Sequence, residues 1–300
     1  MQQSDGVKSG HAAGGFAYAI ASAMSFGLIP LFALPVMSGG MDFLSVLIYR
    51  FAISCLFLFP ILLLTHQRLK ISLSETGRIV LLALFYCGSA LFLFWSYQYM
   101  SSGKATTIHF MYPVFTAIIM MLFFHERFSW TTLTAVLIAV AGVALLADEH
   151  GDGGSIPWVG LLIVLSSGVY YAIYLVAVNQ MKIRKMGSLK LTFYVMFFGL
   201  FILIGVAETL GNGVAVVSTF PDMWRLVCLA LVSTVFSNIM LLFAIKRLGS
   251  TYTSIMGAFE PLTAVCMGIL CFHEEVTVLA VTGIVCIIAA ISLLVYCRNR

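Results

Sequence analysis

The sequence predicts an all-α integral membrane protein of ten transmembrane helices, arranged as two inverted five-helix repeats. Three observations carry this reading. The 300 residues are 61% hydrophobic and only 9% charged, against roughly 25% charged in soluble domains, so the chain lacks the polar surface to dissolve. Apolar runs long enough for a helical crossing recur along it, without the ~10-residue alternating segments of barrel strands. Finally, Leu-x-Phe-His-Glu is written twice, from Leu122 and from Leu270, 148 positions apart.

A helix needs about 20 residues to cross a hydrocarbon core of roughly 30 Å, and ten segments qualify. Residues 1–14 are polar and Gly/Ala-rich and read as a cytoplasmic tail; the run behind them, 15–37, is long and reads as a retained first span rather than a cleaved leader. The second span, 43–65, ends in the polar connection "HQRLKISLSET", after which 77–98 forms the third. Spans four (104–124) and five (131–147) follow, and "DEHGDGGSI" separates them from span six, 157–179. The basic connection "MKIRKMGSLK" leads into span seven, 191–210, with Glu208 near its end, where interfacial exposure is expected. Residues 223–245, 251–271 and 278–297 complete the set. No connection is long enough for a soluble domain, so any chemistry belongs within the membrane or at its faces. The expected organisation is the tail at 1–14, a first repeat at 15–150 and a second at 151–300.

Loop charges set the expected orientation. With the N-terminus in the cytoplasm, the inner side collects Lys8, Arg68, Lys70, Arg78, Arg127, Lys182, Arg184, Lys185, Lys190, Lys246, Arg247, Arg298 and Arg300. The outer side keeps Lys104 and Arg225, and Arg50 lies inside the second span. Both termini are therefore expected inside, as an even number of spans requires. No basic cluster suggests nucleic acid, no Gly-rich loop suggests a phosphate cofactor, and the seven cysteines lie in or beside apolar runs without a Cys-x-x-Cys pair. They read as small hydrophobic packers; no cofactor is implied.

At an offset of 148, Pro113 falls on Pro261, Ser102 on Ser250, Thr134 on Thr282 and Ala141 on Ala289. Nearer the start of each half the offset is 144, where Ser22, Ile29 and Leu31 meet Ser166, Ile173 and Leu175. Two copies of a five-helix unit follow. Five crossings leave the chain on the opposite side, so the second copy enters the membrane upside down, the arrangement that lets one midplane site open to either face in turn.

The paired segments "YPVFTAIIMMLFFHERFS" and "EPLTAVCMGILCFHEEVT" resemble the two EamA-type repeats of the drug/metabolite transporter superfamily, and Arg50-Phe51 in "FLSVLIYRF" is similar to that family's Arg-Phe. His stands before the Glu in both halves where the family usually has Gly. The resemblance implies a ten-helix carrier of small metabolites, most often an exporter of amino acids or related compounds.

Among candidate site residues, His-Glu admits two readings. A zinc site of the His-Glu-x-x-His kind needs a second His, which neither "HERFS" nor "HEEVT" supplies; the other reading is a helix-end turn, with Glu126 and Glu274 meeting local backbone N–H groups. Glu260 sits nine residues into its span, ~13 Å deep at 1.5 Å per residue. An ionisable group there is costly and faces a cavity or a partner: it is read as a coupling group for a proton or cation, as a ligand for a substrate amine, or as a carboxyl hydrogen-bonded between helices. Tyr112 occupies the equivalent place in span four. Pro113 and Pro261 behind the pair free a carbonyl and bend each helix, so both are hinge candidates. His109 shares a helical face with Tyr112 and is either a ligand or a packing residue. Arg50 is read as snorkelling, or as pairing with a carboxylate or the substrate. Phe26, Trp95, Tyr170, Tyr174, Ser237 and Asn238 complete a candidate aromatic-walled cavity suited to small amphipathic or zwitterionic solutes.

The expected function is a secondary transporter of the inner membrane, moving a small metabolite outward by alternating access, with the bilayer and a coupling proton as its other partners. The alternative is an intramembrane enzyme using His109, Glu260 or the His-Glu pairs.

Overall fold

The computed structural model describes residues 2–66, 69–100, 102–125, 130–148, 157–181, 186–210 and 213–272, then 278, 281–283, 285–286, 288–290 and 293. Among the described residues there is no strand. Apolar composition drives this outcome, because in lipid a backbone must satisfy its own hydrogen bonds and a helix does so segment by segment. In chain order the helices are α1 (Gln2–Phe26), α2 (Ile29–Ser38), α3 (Phe43–Leu64), α4 (Leu73–Ser96), α5 (Ser102–His109), α6 (Tyr112–Phe124) and α7 (Trp130–Asp148). They continue with α8 (Trp158–Gln180), α9 (Ser188–Thr209), α10 (Phe220–Ala230), a π-helical turn (Leu231–Phe236), α11 (Ser237–Leu248), α12 (Ser250–Met256) and α13 (Phe259–Phe272). The shorter apolar helix Val281–Ala290 follows.

Six stretches are long and apolar enough to cross a membrane: Gly14–Ser38, Phe43–Leu64, Leu73–Ser96, Trp158–Gln180, Ser188–Thr209 and Phe220–Leu248. The chain is a multi-pass membrane protein. Three expected spans are each two helices end to end. The first breaks at Gly27–Leu28, the fourth at Phe110–Met111 and the ninth at Gly257–Ala258, with Pro30, Pro113 and Pro261 at the start of the following piece. A proline has no N–H for the carbonyl one turn back, so the hydrogen-bond ladder restarts there. α1 also begins at Gln2, so helix extends back through the stretch expected to be a polar tail.

Helix ends follow local chemistry. Ser72 and Glu75 form a capping box on α4, the Ser72 N–H donating to Glu75 Oε2 at 2.8 Å and the Glu75 N–H to Ser72 Oγ at 3.3 Å. Asp42 caps α3 by accepting the Ser45 N–H at 3.0 Å. His125 adopts a left-handed conformation (φ 52°) and closes α6, the helix-end role open to it in the sequence. Glu126, His273 and Glu274 lie outside the described residues. Glu208 is exposed near the end of α9.

The bundle packs in related pairs. α1 lies against α11 and α13, α8 lies against α4 and α6, and α3 lies against α9. At one end, connections are fastened by basic and phenolic side chains: Lys190 donates to the Lys70 carbonyl at 2.8 Å, Tyr194 to the Leu69 carbonyl and Lys246 to the Met186 carbonyl, both at 2.5 Å. Elsewhere the Ala215 N–H donates to Ser45 Oγ at 2.8 Å, tying the segment before α10 to the start of α3.

Gly27 marks a close approach of one helix to the backbone of another. A Cβ there would meet the Glu260 carbonyl oxygen, a backbone atom that cannot swing aside. Gly27→Ala is therefore expected to destabilise the bundle by about 1–3 kcal/mol, read as a lower unfolding midpoint in detergent. Gly205→Ala, in α9 with nothing within 4 Å of the added methyl, is the control and should leave the midpoint unchanged or slightly raised.

Candidate functional site

The three helix breaks bring polar groups to one place. Pro261 starts the ladder of α13 anew, so Glu260 sits in its first turn, with its own N–H donating to the Gly257 carbonyl at 2.8 Å. The residue is 9% exposed and lines a small cavity with Ser22, Phe26, Tyr112, Tyr171 and Ser254. No hydrogen bond to the carboxylate is formed among the described residues. Free space in the cavity is about that of one water molecule. Tyr112 reaches across from α6, its hydroxyl against Gly257, where any side chain would exclude it.

Arg50, 2% exposed, lies in α3 at the centre of a second polar group. Its Nε donates to Thr234 Oγ1 at 2.5 Å and its Nη2 to the Tyr86 hydroxyl at 3.4 Å. Thr234 belongs to the π-helical turn, and it donates its own proton to the Leu229 carbonyl at 2.9 Å, which leaves a lone pair for Arg50. Such an extra residue in a helix re-aims side chains and recurs at functional sites. Asn238 Nδ2 donates both to the Tyr86 hydroxyl at 2.7 Å and to the Thr234 carbonyl at 2.8 Å, while its Oδ1 is buried without a partner among the described residues. Arg50 and Glu260 form no direct ion pair with one another; the guanidinium is held by Thr234 and Tyr86.

Tyrosines join the two groups. Ring centroids run from Tyr86 to Tyr174 at 5.1 Å, from Tyr174 to Tyr171 at 6.2 Å and from Tyr171 to Tyr112 at 4.8 Å. His109 packs on Tyr112 and Tyr171 at 5.4 and 5.6 Å, and its Nδ1 is 2.9 Å from Ser167 Oγ. Ser167 Oγ also donates to the Ser89 carbonyl at 2.8 Å. His109 thus stands behind the cavity wall rather than in it.

Of the residues singled out from sequence, Phe26, Tyr112 and Glu260 meet at the cavity. Arg50, Asn238 and Tyr174 gather at the neighbouring polar group. Ser237 is a fastening: its hydroxyl donates to the Ser22 carbonyl at 3.0 Å and Ser22 Oγ donates to the Ser237 carbonyl at 2.9 Å, joining α1 to α11. Tyr170 and Trp95 lie apart, grouped through Phe92, whose ring is 5.2 Å from Tyr170 and 6.4 Å from Trp95. Tyr171, Ser22, Ser254, Tyr86 and Thr234 were not singled out. Among the described residues no group of three His, Cys, Asp or Glu side chains gathers as a metal site would require.

A multi-pass helical bundle with broken helices around a buried carboxylate, unpaired among the described residues, is a protein of the membrane-transporter class. The profile of the EamA-like transporter family matches residues 13–147 and again 158–296, and the chain belongs to that family. It is similar to two proteins of Bacillus subtilis (strain 168). "Uncharacterized transporter YojE" is 26% identical over 295 residues, 95% of each chain, and "Uncharacterized transporter YcxC" is 24% identical over 260 residues, 82% of each. A solved crystal structure at 13% identity covers 94% of this chain and 96% of its own, with a TM-score of 0.79, a likeness of fold alone. The chain is a transporter, and nothing in these comparisons favours an intramembrane enzyme.

Proposed function

We propose that the chain is a secondary carrier of small metabolites, amino acids or related compounds, which it moves outward across the inner membrane by alternating access. The observation that carries this is Glu260: a carboxylate nine-tenths buried, without a hydrogen bond among the described residues, lining a cavity where three interrupted helices meet. A buried polar group without a partner costs free energy unless something binds it, and a solute or a coupling proton is what a carrier supplies.

Two inverted five-helix units crossing ten times agree with the packing. Exchanging spans one to five with six to ten turns the α1 contacts with α11 and α13 into the α8 contacts with α4 and α6, and leaves the α3–α9 pair in place. The paired helices α5–α6 and α12–α13, with α7 and Val281–Ala290, supply the crossings beyond the six long ones. Both termini are placed in the cytoplasm, on the side of Lys70, Lys190 and Lys246, whose connections are fastened together. The broken helices 1, 4 and 9 are the moving parts around Pro113 and Pro261, and Arg50 shares the coupling role with Glu260.

Comparing metabolites in medium and cells with and without expression tests substrate and direction together. Accumulation of a small amine- or carboxylate-bearing compound in the medium is expected; accumulation inside the cells would reverse the direction.

A further inference from the structure

We propose, taking the chain as the carrier described above, that the cavity at Glu260 binds a primary ammonium group, R–NH3+, of its solute. The serine and threonine hydroxyl protons around the cavity are already committed, and the Tyr112 and Tyr171 hydroxyls line it beside them. Ser22 donates to the Ser237 carbonyl at 2.9 Å, Thr253 to the Gly249 carbonyl at 2.7 Å and Ser254 to the Thr251 carbonyl at 2.8 Å. Each of these oxygens therefore has only lone pairs left to offer. Glu260 adds a carboxylate with no donor of its own among the described residues. The carboxylate and these acceptors call for an occupant with N–H donors and positive charge, and the Tyr112 and Tyr171 hydroxyls can accept from it as well.

The aromatic residues agree with a cation. Phe26 and Tyr112 stand at 84° and 90° to Tyr171, with centroids 6.4 and 4.8 Å from it. Rings set at right angles around a small space can turn a π face toward a cation. Donor count then chooses among cations. An ammonium carries three N–H donors, which the carboxylate and the hydroxyl oxygens can accept. A quaternary ammonium has none, so it would leave those acceptors unpaired.

Calorimetric titration of the purified full-length chain in lipid nanodiscs tests this, with propylammonium, tetramethylammonium, propan-1-ol and sodium ions as separate probes. Propylammonium should bind, with tetramethylammonium and propan-1-ol weaker by roughly tenfold or more. Glu260→Gln should weaken propylammonium by a similar factor at an unchanged elution profile, and Glu260→Asp should retain part of the binding. Ser254→Ala, which removes one acceptor far more gently, should give a smaller loss. Equal binding of propan-1-ol, full displacement of propylammonium by equimolar sodium, or unaltered binding in Glu260→Gln would each overturn the proposal. Binding is read without flux: a protein that binds propylammonium yet moves no solute in proteoliposomes contradicts the carrier reading alone, and flux without ammonium binding contradicts this one alone.

Discussion

Glu260→Gln is expected to lower solute flux in proteoliposomes by roughly tenfold or more, while membrane insertion and elution from a sizing column stay as in the wild type. The substitution keeps shape and volume and removes only the charge and the proton. No hydrogen bond to the carboxylate exists among the described residues, so little of the packing depends on it. The ladder around it is made by backbone, with the Glu260 N–H on the Gly257 carbonyl, and survives the change. A carboxylate that serves only as a structural anchor would give the opposite pattern, lower stability with flux intact. Unchanged flux would remove Glu260 from both coupling and recognition.

Arg50→Met is expected to abolish transport without unfolding the bundle. A buried guanidinium is costly to hold in a membrane interior, and Arg50 forms no ion pair among the described residues that its loss would break. The partners left behind are not stranded. Thr234 still donates to the Leu229 carbonyl and the Tyr86 hydroxyl still accepts from Asn238. The unfolding midpoint should therefore move by less than about 4 °C, with flux reduced to background. Arg50→Lys should recover little, because an ammonium at the end of a flexible stem does not reproduce the planar fork that reaches Thr234 and Tyr86 together. A large drop in midpoint for Arg50→Met would instead assign Arg50 to the scaffold.

Hydrophobic runs and repeat spacing made the bundle legible, because both are one-dimensional properties that the membrane reads directly. The same spacing pointed to Glu260, Tyr112 and the two prolines behind them, and the structure brings Glu260 and Tyr112 to one cavity. What stayed hidden depends on rotation about a helix axis. Tyr170 and Tyr171 are neighbours in "VYYAIY", yet Tyr171 lines the cavity while Tyr170 packs on Phe85 and Phe92. An apolar helix buried on several sides has no polar face to show which neighbour turns inward. The π-helical turn in "LVSTVF" was equally silent, since one extra residue per turn leaves composition untouched, and Thr234 became visible only when Arg50, 184 positions away, was seen to bond it. The break in the first span did have a signal in Gly27 and Pro30, which the continuous apolar run of 15–37 obscured.

The most direct test of the carrier account is counterflow. Proteoliposomes are loaded with the unlabelled metabolite that expression exports, and entry of a labelled trace from outside is followed. A carrier whose single central site faces one side at a time returns labelled solute on each reorientation, so internal solute should accelerate entry and drive transient accumulation above equilibrium, and Glu260→Gln should lose the effect. Entry that is indifferent to internal solute, or that simply equilibrates at a rate unaltered by Glu260→Gln, would contradict alternating access through this cavity.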